Sequence, residues 1–308
     1  MIIHYNTASF NPKKPVILTP GTFDGVHFGH QKILKILTDT AKEKNMESVV
    51  LTFSPHPRKV LFPDGKPLFL INTLDEKIEQ LKKHGVDHLI IYPFTLDFSR
   101  ISALEYVRDF LLNELKVSKL VIGYDHQFGR NREGDFNYLK ELSPLYEFEI
   151  EEISAQDINE VNISSTKIRK AILNGDIETA NEYLGYQFSI TGDVVEGKKL
   201  GNTIGFPTAN IQPTSNDKII PKNGAYAVSV TVDSKQYGGM LNIGHNPTVS
   251  SDQTQHIEVN IFDFNQNIYG TDITVYFIKR LRDEKKFESV DELKQQLADD
   301  ALLAKQFV

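Results

Sequence analysis

The chain contains no cysteine. Disulfides, thiolate metal sites and cysteine nucleophiles are therefore excluded, and any chemistry must use oxygen and nitrogen groups. Also missing is any run near the roughly 18 uninterrupted apolar residues of a membrane span, and Met1 to Phe10 has neither a basic start nor an apolar core. These absences predict a cytoplasmic protein with no membrane partner. Positive charge is scarce: 34 Lys and Arg face 41 Asp and Glu, a formal net charge of −7, with a pI near 5.7. Binding along a nucleic-acid backbone depends on clustered cations, so no nucleic-acid partner is expected. A small phosphate ligand is still allowed, because a helix N-terminus and a few local cations suffice for it. No repeat at a fixed period and no low-complexity tract breaks the chain.

What is present suits about two domains, since 308 residues exceed the roughly 100–200 of a typical one. Hydrophobic residues at 40% and charged residues at 24% leave material for two buried cores and exclude disorder along the whole length. In the first half, short apolar runs alternate with amphipathic stretches. Val16 to Thr19, Ser48 to Phe53, His88 to Tyr92 and Lys119 to Ile122 read as strands. Gln31 to Lys44 reads as a helix, and Thr73 with Glu76 and Ser102 with Glu105 have the spacing of capping boxes that open two more. Strand and helix in alternation imply right-handed crossovers and a mostly parallel sheet, with ligands at the carboxyl ends of the strands. Two short helices follow, Thr166 to Leu173 and Ile177 to Leu184, closed by Gly175 and Gly185. Beyond Gly185 the period becomes two, as in Val228/Val230/Val232 and Ile257/Val259/Ile261, which predicts a small antiparallel barrel or sandwich. A last helix, capped by Ser289 with Glu292, ends near Leu303. The expected domains are residues 1–185, α/β, and 186–308, β-rich with a terminal helix.

Chemistry concentrates in a few segments. After the first strand comes Gly21-Thr22-Phe23-Asp24-Gly25-Val26-His27-Phe28-Gly29-His30. Its glycines allow tight turning and close backbone approach, and the helix that follows offers free amides to an anion. Two imidazoles at that end can donate to phosphoryl oxygens as charge builds in a transition state, or they can merely cap the helix. Thr52-Phe53-Ser54-Pro55-His56-Pro57-Arg58 follows the second strand, and its prolines predict an extended loop holding His56 and Arg58. Gly123-Tyr124-Asp125-His126-Gln127-Phe128-Gly129-Arg130 again falls after a strand. Ile163-Ser164-Ser165-Thr166-Lys167-Ile168-Arg169 opens a helix with three hydroxyls and two cations, suited to triphosphate, although read alone it is an N-cap with a solvated basic face.

Together these segments resemble the nucleotidyltransferase superfamily with its His-x-x-His signature, and more narrowly the FMN adenylyltransferase module of bacterial bifunctional riboflavin kinase/FAD synthetases. The resemblance spans Pro20 to about Arg169 and implies a Rossmann-like fold. It implies ATP contacts from Gly21, Phe23, Asp24, Gly25, His27, His30, Ser164, Ser165, Thr166 and Arg169, with the two histidines at the α-phosphate. Flavin contacts are implied for His56, Pro57, Arg58, Asp125 and Phe128; His126 stands where relatives usually have an aromatic residue. The absence of a nucleophile is no objection, since attack of one phosphate on another needs alignment and charge neutralisation rather than covalent help.

In the β-rich half, Gly197, Gly201 and Gly205 recur at four-residue spacing before Phe206-Pro207-Thr208-Ala209-Asn210. This is no Walker loop, because the Gly-Lys-Ser/Thr ending is missing. The glycines could form a flap over phosphates or simply a hairpin loop, and Thr208 and Asn210 would put two oxygen ligands on one side of an extended segment. With Asn242 to Val249, Ile257 to Phe264 and Leu281 to Phe287, this segment resembles the riboflavin kinase module, from about Gly192 onward. The resemblance implies Glu258 as the base for the ribityl 5′-hydroxyl. It implies Mg2+-ATP contacts from Gly197, Leu200, Gly201, Gly205, Phe206, Pro207, Thr208 and Asn210, with Thr208 and Asn210 as metal ligands. Arg282, Glu284 and Phe287 would meet the flavin, and Asn260 replaces a common histidine. The expected substrates are riboflavin, FMN and ATP, with FAD as final product. Two other readings stay open on the sequence: an adenylyltransferase for another phosphorylated cofactor, and a non-catalytic flavin-binding regulator.

Overall fold

The computed structural model of the chain describes residues 1–154, 163–197, 201, 204–245 and 255–308. Contacts divide it into two compact units, Met1–Leu68 with Leu74–Ser164, and Phe69–Thr73 with Ser165–Val308.

The first unit is built on six strands: β1 (Ile2–His4), β2 (Val16–Pro20), β3 (Glu47–Ser54), β4 (His88–Pro93), β5 (Val117–Gly123) and β6 (Glu149–Ile153). They lie in the order β1-β4-β3-β2-β5-β6, and every neighbouring pair is parallel. The chain lays β3 and β4 on one side of β2 and returns to lay β5 on the other. That reversal opens a crevice at the carboxyl end of β2, the usual ligand position in such sheets. Alternation along the strands supplies both faces of the core. Ile17, Val50, Leu89 and Val121 pack with Leu34 and Leu37 of α1 (Phe28–Glu43), whereas Val16, Leu18, Leu51 and Leu120 pack with Val107, Phe110 and Leu111.

Three local outcomes differ from the sequence expectation. The first helix starts at Phe28, three residues early, because His27 can serve as N-cap with extended backbone. The Pro-His-Pro-Arg stretch is not extended throughout: α2 (Pro57–Leu61) begins within it, with Pro57 in the first turn and the His56 side chain accepting from the Arg58 amide at 3.1 Å. Proline there loses only an amide that would have been orphaned and presets φ for the helix. α3 is Leu74–Lys82. The Ser102–Glu105 capping box is present, but the helix it opens, α4 (Ala103–Glu105), loosens into a π-helix over Tyr106–Glu114. β1, β6 and α5 (Phe136–Tyr146) are not among the elements expected from the sequence.

The second unit holds β7 (Ser189–Val195), β8 (Ala209–Pro213), β9 (Gly224–Val232), β10 (Lys235–His245), β11 (Gln255–Ile261) and β12 (Asp272–Arg282). They close into a barrel in the order β10-β11-β8-β7-β12-β9, antiparallel throughout. Closure removes the exposed edges that an open sandwich would leave. Tyr226, Val228, Val230, Val259, Val275 and Phe277 are fully buried in it. Two helices precede the barrel, α6 (Ser165–Asn174) and α7 (Ile177–Leu184), and α8 (Val290–Ala304) follows it. Among the described residues no helix is long and apolar enough to cross a membrane.

Candidate active sites

In the first unit, the loop after β2 turns sharply. Gly25 has φ +85°, and Phe23 and Val26 also take positive φ, at +49° and +36°. A β-branched residue in this region is strained, at a cost on the order of 1–3 kcal/mol that surrounding contacts must offset. Those contacts are visible: the Gly21 amide donates to the Leu51 carbonyl at 2.9 Å, and the Val26 carbonyl accepts from Gln31 Nε2 at 2.9 Å. The turn delivers His27 and His30 to the first turn of α1 with their rings stacked, centroids 3.8 Å apart and planes 16° off parallel. Phe23 flanks His30 at 5.0 Å. Burial, with His27 and Lys77 adding repulsion, holds the His30 imidazole well below its usual pKa. It is therefore neutral at physiological pH, and its buried Nδ1 has no hydrogen-bond partner. A neutral imidazole with an uncommitted nitrogen beside the free amides of a helix N-terminus suits a phosphoryl oxygen.

On the other face of the sheet, aromatic rings gather near the carboxyl ends of β3 to β5. Phe53 meets Phe94 and Phe98, Phe98 meets Tyr92 and Phe110, and Tyr106 links Phe110 to Phe128. Phe128 is buried in this core and His126 stacks beside it at 5.9 Å, while Asp125 and Arg58 are exposed and His56 is half-buried. Ser164 ends the first unit; Ser165, Thr166 and Arg169 open α6 in the second, where Arg169 Nε donates to the Phe69 carbonyl at 2.9 Å.

In the second unit, β8 and β11 pair so that Asn210 lies opposite Glu258. Thr208, just before β8, donates to Glu258 Oε2 at 3.4 Å. Three oxygen-bearing side chains thus converge. Gly197 and Gly201 bring bare backbone against them: a Cβ on Gly197 would strike the Asn210 amide, and one on Gly201 would strike the Phe206 carbonyl close to Thr208. Asn260 is buried and donates to the Pro207 carbonyl at 2.7 Å, holding the strand entry in place. Across the pocket, Arg282 grips both oxygens of Asp300 on α8 at 2.7–3.0 Å and lies 5.8 Å from the Phe287 ring. Glu284 accepts from Asn223 at 2.9 Å. The pocket lined by Thr208, Glu258, Asn260, Arg282, Phe287 and Asp300 among others measures about 190 Å³. A larger cavity in the same unit, about 330 Å³, is lined by Phe69, Leu173, Lys218, Pro221 and Asn223 among others, with no carboxylate among its described lining residues. Chemistry, not size, marks the first of the two as the candidate site. Leu200 and residues 246–249 of the motifs lie outside the described residues.

Comparison with known proteins finds two family models in succession along the chain. The family model described as FAD synthetase covers residues 10–167, and the one described as riboflavin kinase covers 184–308. The bifunctional riboflavin kinase/FMN adenylyltransferase of Listeria monocytogenes is 39% identical over 92% of this chain and 90% of its own. That of Escherichia coli K12 is 38% identical over 96% and 94%. The chain belongs to the bifunctional riboflavin kinase/FMN adenylyltransferase family. A crystal structure from Streptococcus pneumoniae, described as a macrolide-efflux protein, has the same fold, with a TM-score of 0.89 at 32% identity over 100% of this chain and 99% of that one.

Two buried charges beside these candidate sites carry no motif in the sequence. Lys77 is buried beneath the histidine loop, its ammonium donating to the Thr22 carbonyl at 3.1 Å and Thr52 Oγ1 at 3.2 Å. Its signal was its spacing, since it falls three residues after Leu74 and four before Leu81, on the apolar face of α3. Asp300 likewise follows Leu297 by three on the barrel-facing side of α8 and is buried. A charged residue on an otherwise apolar stripe is the pattern to look for.

Proposed function

We propose that the two sites act in sequence, Glu258 serving phosphorylation of riboflavin to FMN and the His27/His30 pair serving adenylylation of FMN to FAD. Family membership carries both activities and disfavours the two alternative readings. In the barrel, the observation that supports the assignment is the meeting of Glu258 with Thr208 and Asn210. Glu258 would take the proton of the ribityl 5′-hydroxyl as that oxygen attacks the γ-phosphorus, and ADP leaves. Position supplies the activation, because a carboxylate is a weak base for an alcohol unless geometry aligns the transfer. Thr208 and Asn210 are hard oxygen donors and fit Mg2+, which keeps several waters and phosphate ligands. Magnesium carried with ATP would neutralise charge on the phosphate tail. Arg282, locked by Asp300, and Phe287 would form the wall for the flavin, with the Gly197 and Gly201 backbone over the nucleotide phosphates.

In the first unit, an oxygen of the FMN phosphate would attack the α-phosphorus of ATP and expel pyrophosphate. His27 and His30 would donate to the α-phosphate as its charge grows. Ser164, Ser165, Thr166 and Arg169 are assigned to the outer phosphates, and His56, Pro57, Arg58, Asp125 and Phe128 to the flavin side. Riboflavin, ATP and magnesium incubated with the full chain, with FMN and FAD separated over time, should show FMN rising first and FAD following. A chain that forms FMN but no FAD from it would overturn the reading of the first unit, and one that forms neither would overturn both.

A further inference from the structure

The strained turn that carries His27 and His30 has a further support besides the Gly21–Leu51 and Val26–Gln31 bonds. Lys77 reaches the turn from α3, on the side away from solvent. Its ammonium donates to the carbonyl of Thr22, the residue just before Phe23, and to the hydroxyl of Thr52 at the end of β3. Thr52 Oγ1 itself donates to the same Thr22 carbonyl at 3.2 Å. The three groups close a small triangle that ties the loop after β2 to the neighbouring strand, next to the buried Asp24. A buried lysine is costly, and burial brings this one down to about 8, with Asp24 opposing the fall. Such a group belongs in a core only where its hydrogen bonds have a task. The residues it secures lead directly into the positive-φ positions Phe23 and Val26 and thence to His27. Its charge also acts on His30, where His27 and Lys77 both add repulsion to the effect of burial and hold the imidazole below its usual pKa, while Asp24 acts on Lys77 itself.

We propose that Lys77 is a positioning residue for adenylyl transfer: it clamps the Thr22 carbonyl to Thr52, fixing the turn that presents His27 and His30 to the α-phosphate. This rests on the reading of the histidine pair as the phosphate site. The test compares Lys77→Met, which keeps the stem and removes the charge, with Thr52→Val, which removes the hydroxyl alone. Both are assayed in the full chain for FMN adenylylation, with riboflavin phosphorylation as the internal control and imidazole NMR titration of His30. Lys77→Met is expected to lower kcat for FAD formation about 100-fold, with KM for ATP changed less than about fivefold, and to raise the His30 titration midpoint. Thr52→Val should lose about tenfold in kcat and leave the midpoint nearly unmoved, because the charge stays. Lys77→Met with kcat within threefold of normal and an unshifted midpoint would overturn the clamp. If Lys77→Met does not fold, Thr52→Val decides, and normal kcat in that variant overturns the proposal. His27→Ala combined with His30→Ala separates the two ideas: if this variant still makes FAD, the reading of the site fails, whereas its loss beside a fully active Lys77→Met sinks the clamp alone.

Discussion

Glu258 and Asn260 project from the same strand into one pocket, yet their bonds assign them different work. Glu258 faces Thr208 and lies opposite Asn210, whereas Asn260 is spent on the Pro207 carbonyl. Glu258→Gln keeps shape and hydrogen bonding but cannot take a proton. Riboflavin phosphorylation should fall by roughly 100-fold or more, the scale of general base catalysis, while supplied FMN is still converted to FAD. Asn260→His can keep the bond to Pro207 through a ring N–H, so FMN formation should stay within about tenfold, no more than about 1.4 kcal/mol of barrier. Initial rates of both variants check the pair. His126 offers a test of a different kind. Burial brings it to about 4 from the ordinary 6.5, and its Nε2 has no hydrogen-bond partner. Between those values the unfolded chain binds more protons than the folded one, so stability is intact above about pH 6.5 and declines as pH falls toward 4. His126→Phe should flatten that decline without abolishing it, because His30 shifts in the same direction. Denaturant unfolding at pH 7.5 and pH 5 measures the slope, and equal slopes in the two proteins would count against a buried neutral His126.

At the scale of elements, α8 is tied to the barrel through the Arg282–Asp300 pair, with Gln296 also donating to Asp300. Asp300 is nearly inaccessible, whereas Arg282 keeps about 20% of its side-chain surface in water. Breaking a fully buried pair costs about 3–5 kcal/mol, so this one should cost about 2–3. Asp300→Asn should therefore lower the melting temperature and, by freeing Arg282 from its fork, raise KM for riboflavin more than it lowers kcat. A variant with unchanged KM would show that Arg282 is held equally well by its bond to the Asp283 carbonyl. The elements that the sequence disclosed are those with a strong periodic signal: β2, β3, β4, β5, α1 and α8, and the period-two strands of the barrel. Those it concealed had competing signals. α2 hid behind two prolines, one of which sits where a helix tolerates it. β6 reads Glu-Ile-Glu-Glu-Ile, which charge disguises because Lys119 of β5 pairs with Glu149 and Glu151 across the sheet edge. The candidate site motifs stand out in the sequence because glycine, proline and histidine carry unusual backbone or chemical demands. Lys77 and Asp300 show only a charge on an apolar helix stripe, and burial by other elements is what sets them beside the candidate sites.

For the molecule as a whole, the two natural cuts disagree. The riboflavin kinase family model begins at residue 184, near the Gly185 boundary expected from periodicity, but the compact unit begins at Ser165 and takes in Phe69–Thr73 as well. The difference is α6, α7 and a stitch from far upstream in the chain. Asn181 of α7 bridges the Phe188 amide at 2.7 Å and the Phe277 carbonyl at 2.9 Å, and Glu178 pairs with Lys279 at 3.0 Å. Ile168, Ile172, Ile177 and Leu184 are fully buried by the packing of this unit. At about 1.5–3 kcal/mol for each apolar side chain withdrawn from water, the two helices account for several kcal/mol of a total that rarely exceeds about 15. The upstream stitch adds backbone bonds from Leu70 to Asp217 and Ile219, and a bond from the buried Lys218 ammonium to the Ile71 carbonyl at 2.6 Å. Stability should therefore rank full chain above a fragment of residues 165–308, and that above one of 186–308, with the second step the larger. The longer fragment is expected to phosphorylate riboflavin with kcat near that of the full chain, since every described residue assigned to that reaction lies within it. The shorter should be largely unfolded at 37 °C and active only at low temperature or with ligand in excess, because ligand binding stabilises a folded minority by mass action. Urea unfolding of the three proteins followed by circular dichroism, with kinase rates alongside, checks the ranking. Equal stability of the two fragments would make α6 and α7 a linker that merely rests on the barrel.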